Sequence, residues 1–163
     1  MIEIQELNTS AIEQFLERAD YGHLACSLND QPYVVPIHFA YSKPFFYIYT
    51  TEGKKSEILD QNPSVCLQLE EVKDNSHWIS VIIYGEAERL VQDDLKNEAI
   101  REVVNRNPTL TPAVSIHWMD NWVRENIEAV YRIIPTDITG RATINRGGPH
   151  DRVVPGKPDS TLL

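Results

Sequence analysis

The sequence predicts a mainly β fold with flanking helices, in which six antiparallel strands close as a barrel. Two observations carry that prediction. Six segments either alternate apolar with polar residues or run apolar between turn residues, the pattern of strands. The first three follow one another through short turns before any internal helix, which favours antiparallel neighbours over parallel crossovers and places the helices at the barrel ends.

In chain order, Ser10-Ala11-Ile12-Glu13 reads as a capping box with Ser10 as N-cap, and Ile12, Phe15, Leu16 and Ala19 share one helical face. Tyr21-Gly22 ends that helix. His23 to Leu28 and Pro32 to Tyr41 form a hairpin about Asn29-Asp30, and Phe45 to Thr50 follows the turn Ser42-Lys43-Pro44. Pro36 cannot donate to a ladder, so the second strand has a free backbone side there or bulges. A short helix over Ser56 to Gln61 stops at Asn62-Pro63. Ser64 to Val72 and Trp78 to Leu90 are the fourth and fifth strands, and Gly85 marks a bulge or a close backbone approach. Asp94 to Asn105 is helical, Trp118 to Glu125 suggests a further short helix, and Asn126 to Pro135 is the sixth strand. The domain is expected to span residues 1–140. From Arg141 to the end, glycine and proline crowd out apolar residues, which predicts an exposed tail over 141–163.

Length and charge narrow the function. A chain of 163 residues suits one domain. A net charge of −9 lacks the basic face of a protein that tracks nucleic-acid phosphates. No apolar run is long enough to cross a membrane as a helix, the first residues have no apolar signal core, and the expected compartment is the cytosol. Cys26 and Cys66 lie apart in apolar runs and read as buried free thiols. The five histidines, His23, His38, His77, His117 and His150, have no metal-ligand spacing, so no metal site is expected. Trp118 and Trp122 share a helical face, which fits core packing or a lid over an aromatic ligand.

The stretch from Tyr49 to Leu59 carries the chemistry. An aromatic strand ends in two hydroxyl residues, Thr50 and Thr51, followed by Gly53, the adjacent cations Lys54 and Lys55, and a helical turn. Hydroxyls, paired ammonium groups and a helix start suit a phosphate dianion. A strand-to-helix corner with solvated lysines reads the same way. On the fifth strand Trp78, Ile82 and Tyr84 alternate with Ile79, Val81 and Ile83. A barrel buries only one of those faces, so the other is expected to pack against a second copy of the chain.

These residues resemble the FMN-binding split barrels related to pyridoxamine 5′-phosphate oxidase. The resemblance rests on Pro32-Tyr33-Val34-Val35-Pro36-Ile37-His38-Phe39-Ala40-Tyr41, on Tyr47-Ile48-Tyr49-Thr50-Thr51 with Gly53-Lys54-Lys55, on Asn62 to Leu67, and on Trp78-Ile79-Ser80-Val81 with Tyr84-Gly85-Glu86-Ala87. It implies a homodimer with FMN in clefts at the subunit interface. Lys54 and Lys55, aided by Thr50 and Thr51, would take the phosphate. The ring would lie along the backbone of Val35, Pro36, Ile37 and His38 near Tyr49, with Trp78 and Ser80 approaching from the barrel wall or the partner. The oxidase members carry Arg-Lys where this chain has Lys54-Lys55, which places it nearer the broad oxidase-related group. The implied activity is an FMN-dependent oxidoreductase acting on a small molecule. A flavin-storage module without turnover, or a haem or deazaflavin binder on the same fold, are the alternatives, with His38 or His117 as axial ligand for haem.

Overall fold

The computed structural model describes residues 2–106 and 128–145. They form eight strands and three helices: β1 (Ile2–Glu6), α1 (Thr9–Arg18), β2 (Tyr21–Leu28), β3 (Gln31–His38), β4 (Ala40–Ser42), β5 (Phe45–Thr51), α2 (Lys54–Leu59), β6 (Ser64–Asp74), β7 (His77–Arg89), α3 (Asp93–Arg106) and β8 (Glu128–Asn145). Every pairing is antiparallel, in the order β3-β2-β6-β7-β8-β5-β4 with β1 beside β8. The antiparallel β fold stands as the sequence predicts, but with eight strands rather than six.

The two additional strands have separate causes. The predicted strand Pro32 to Tyr41 is divided at Phe39, whose amide donates to the Asp20 carbonyl at 3.0 Å in the β2–β3 register, after which Ala40 pairs with Tyr47 of β5 instead. β3 pairs with β2, whereas β4 pairs with β5 at the opposite edge of the sheet. One residue therefore links the two edges, so the sheet must curl until they lie side by side. No ladder joins β3 to β4 or β5 among the described residues, and the barrel is split along that seam. β1 pairs with Arg141–Asn145, so β8 extends well past Pro135 and the first residues beyond 140 belong to the sheet. The edge of β8 away from β7 is shared, with β5 along Glu128–Ile133 and β1 along Arg141–Asn145.

Asn29 and Asp30 have φ of 51° and 61°, the left-handed geometry of a two-residue hairpin turn, and fix the β2–β3 register. Helix α1 begins two residues earlier than the capping box implies. Asn8, not Ser10, is the N-cap, its Oδ1 accepting from the Ala11 amide at 2.9 Å. Its Ala11, Ile12, Phe15 and Leu16 enter the main core with Leu24, Leu67, Leu69, Val81, Ile83 and Ile133. A second core forms on the other side of β5, where Tyr47 and Tyr49 meet Ala99 and Val103 of α3. Gly85 combines both features its sequence position suggests. The β7–β8 register shifts beside it, and an added Cβ would lie 2.5 Å from the Ile134 carbonyl oxygen. The expected helix over Trp118 to Glu125 lies outside the described residues, as does everything after Asn145.

Candidate functional site

β5 leads into the basic corner, which is closed locally by a reciprocal pair of hydrogen bonds. The Gly53 amide donates to Ser56 Oγ at 2.9 Å, and that hydroxyl donates back to the Gly53 carbonyl at 2.8 Å. Ser56 is buried, so the turn is held against the barrel end. The two lysines then part. Lys54 is exposed, with Nζ 5.2 Å from the centre of the Tyr33 ring on β3. Lys55 folds inward and donates from Nζ to the buried Thr50 Oγ1 at 2.5 Å. Burial lowers the Lys55 ammonium pKa, an effect opposed by the neighbouring Cys26 thiol, whose own pKa burial raises. Tyr33 and Cys26 face each other across β2 and β3, so both lysines sit at one end of the split seam, over the barrel mouth.

From that corner β3 runs along the seam as an edge strand. Val35 and Ile37 turn their side chains to the core, leaving their backbone at the edge. Pro36 and His38 point outward, opposite His23 and Tyr21 of β2. The His38 ring lies 5.1 Å from Tyr21, and its Nδ1 is buried without a hydrogen-bond partner among the described residues. His23 Nδ1 lies 3.2 Å from Gln68 Oε1 on β6. Tyr21, His23 and Gln68 were not among the sequence candidates. The Asn29-Asp30 turn carries the signal for the first two, because a two-residue loop pairs Leu28 with Gln31 and hence Tyr21 with His38.

Four residues implied by the resemblance lie elsewhere. Tyr49 points to the second core, where its hydroxyl donates to Glu128 Oε2 at 3.3 Å, so its ring faces away from the Thr50–Lys55 side of β5. Thr51 is half-buried at the end of the same strand. Trp78 and Ser80 are half-buried on the outer face of β7, opposite Val72 and Glu70. On β6, those positions are seven and five residues from Val65, the partner of Cys26. At about 3.4 Å per residue, that is roughly 17–24 Å from the lysine end. The chain therefore brings together Lys54, Lys55, Thr50 and the β3 edge, and leaves Trp78 and Ser80 apart. His117, Trp118, Trp122 and His150 lie outside the described residues. Among the described residues no cluster of potential metal ligands forms, and no helix is long and apolar enough to cross a membrane.

The outer face is apolar where the paired strands cross it. Val34, Ala25, Cys66 and Tyr84 form one row through four strands, and Val34 and Tyr84 are 59% and 49% exposed. Ile82, one row away, is half-buried.

A family model described as pyridoxamine 5′-phosphate oxidase matches residues 8–142. An uncharacterised protein of Rhizobium meliloti is 39% identical over 71 residues, which is 44% of this chain and 47% of that relative, so the match spans about half of the relative's length. Among solved structures, an FAD-binding protein from Mesorhizobium loti has a TM-score of 0.71 at 26% identity, covering 89% of this chain and 100% of that one. A candidate pyridoxamine 5′-phosphate oxidase from Corynebacterium glutamicum has a TM-score of 0.66 at 26% identity, covering 86% and 98%.

Proposed function

Because the chain belongs to the pyridoxamine 5′-phosphate oxidase family, we propose that it is a flavin-binding split barrel that uses FMN as an oxidoreductase cofactor. The observation that carries this reading is the basic corner at one end of an open strand edge. Lys54 offers an exposed cation there, and Lys55 and Thr50 form a polar pair behind it. The residues fit the group in three respects. The corner supplies charge for a phosphate, β3 supplies edge backbone beside Pro36 that no other strand pairs among the described residues, and His38 supplies a buried ring nitrogen with no hydrogen-bond partner among them. Similarity to the FAD-binding protein from Mesorhizobium loti supports a flavin more broadly.

Lys54 and Lys55 would hold the phosphate, with Thr50 orienting the Lys55 ammonium. The backbone of Val35 to His38 would orient the ring. A second copy of the chain, packed on the outer face, would bring its Trp78 and Ser80 to the site and exclude water from it. Bound flavin supplies hydride transfer at its N5 position. Lys54→Ala is the cleaner test, because Lys54 is exposed, whereas Lys55 also fills the barrel mouth. One charge-assisted contact contributes roughly 1.5–3 kcal/mol, so FMN affinity should fall about ten- to a hundredfold, and riboflavin affinity should fall much less. Equal losses for the two ligands would remove the phosphate assignment. Bleaching of the bound flavin by NADH or NADPH would separate an oxidoreductase from a storage module.

A further inference from the structure

We infer that Arg89 is a positioning residue for the lysine corner, holding both ends of the lysine-bearing segment with one guanidinium and neutralising the carboxylate beside the anion site. This inference rests on the phosphate reading of Lys54 and Lys55. Arg89 ends β7, opposite Tyr131 of β8. Its Nη2 donates to Glu52 Oε1, and its Nη1 donates to Asp60 Oδ2 at 2.8 Å. Glu52 lies just before Gly53, and Asp60 is the C-cap of α2. The guanidinium therefore bridges the residues that flank the whole corner. Tyr131 completes the arrangement, its hydroxyl donating to Asp60 Oδ1 at 3.0 Å while the guanidinium carbon lies 5.8 Å from its ring centre.

The geometry needs arginine. A planar fork reaches two carboxylates at once, whereas an ammonium offers a compact point charge. It also governs local charge. Glu52 stands two residues from Lys54, and without its partner that carboxylate would repel a phosphate approaching the same corner. The arrangement was invisible in the sequence because Arg89 is 37 residues from Glu52 and 29 from Asp60.

The test is a titration of flavin-free protein with FMN and with riboflavin, followed by quenching of flavin fluorescence. Residues sharing one charged network couple strongly enough that Arg89→Met should raise the FMN dissociation constant about tenfold. Riboflavin should change by less than about twofold. Adding Glu52→Gln to Arg89→Met should recover the share of the loss that comes from the unpaired Glu52 charge. If Arg89→Met fails to fold, Arg89→Lys carries the same comparison, with an FMN loss of about threefold. Equal losses for both flavins, or no recovery with Glu52→Gln, would overturn the inference. Lys54→Ala, titrated in parallel, separates the two levels. If it moves the FMN-to-riboflavin ratio and Arg89→Met does not, the clamp is wrong and the anion site stands. If neither moves the ratio, the anion site is wrong and the clamp falls with it.

Discussion

Lys54 and Lys55 are adjacent in sequence yet occupy different environments, and the cause is strand alternation. Thr50 lies on the core side of β5, so the lysine that reaches it must fold inward and lose water, while its neighbour stays over Tyr33 in solvent. The sequence places both cations at a strand-to-helix corner but cannot divide their roles, because the division depends on Tyr33 and Cys26 from another hairpin. Gly85 is the opposite case, legible from its strand alone. An alanine there would drive Cβ to 2.5 Å from the Ile134 carbonyl oxygen and 3.0 Å from Ile133 Cγ2. Backbone cannot yield as a flexible side chain can, so Gly85→Ala should destabilise the fold by about 1–3 kcal/mol. Urea unfolding of the two proteins measures this, and an unchanged midpoint would mean that β7 and β8 separate at little cost.

Among the elements, β8 departs most from its sequence pattern. Its alternation is clear through Ala129, Tyr131 and Ile133, then weakens from Pro135, where polar residues and Gly140 enter. That stretch stays in the sheet because β7 pairs with it through Ala142 and β1 through Asn145. Gly140 packs closely there, since an added Cβ would meet Leu7 Cδ1 at 2.9 Å and Ile12 Cγ1 at 3.1 Å, and those side chains would have to shift. The residues from Arg141 thus read as a tail locally and as a strand only once their partners are known. A chain ending at Gly140 removes every residue that pairs with β1, so its melting temperature should fall relative to a chain ending at Asn145. Equal melting temperatures would make β1 and the end of β8 dispensable. The break at Phe39 was hidden in the same way. Pro32 to Tyr41 has one continuous apolar pattern, and only the change of partner from β2 to the β5 edge after Phe39 divides it. The β2–β3 hairpin was legible because its register is set by two adjacent turn residues.

At the scale of the whole molecule, the curled sheet buries one face and leaves an apolar row on the other, across β3, β2, β6 and β7. Val34, Ala25, Cys66, Tyr84 and Ile82 lie on that face, while Trp78 and Ser80 stand on the same face far from the lysine corner. A second copy seated there would cover the apolar row and carry its Trp78 to the first copy's β3 edge, which makes flavin retention and dimerisation one property. Ile82→Glu places a charge within that face without entering the core, so it should release monomer and flavin together. The most direct test is light scattering and visible absorbance recorded on the same chromatographic fractions of the FMN-loaded protein and of Ile82→Glu. The unsubstituted protein should run at twice its 18.7 kDa chain mass, carrying the flavin band, and the variant at the mass of one chain without it. A well-folded monomer that retains stoichiometric FMN, or a dimer that never acquires the band, would contradict that expectation.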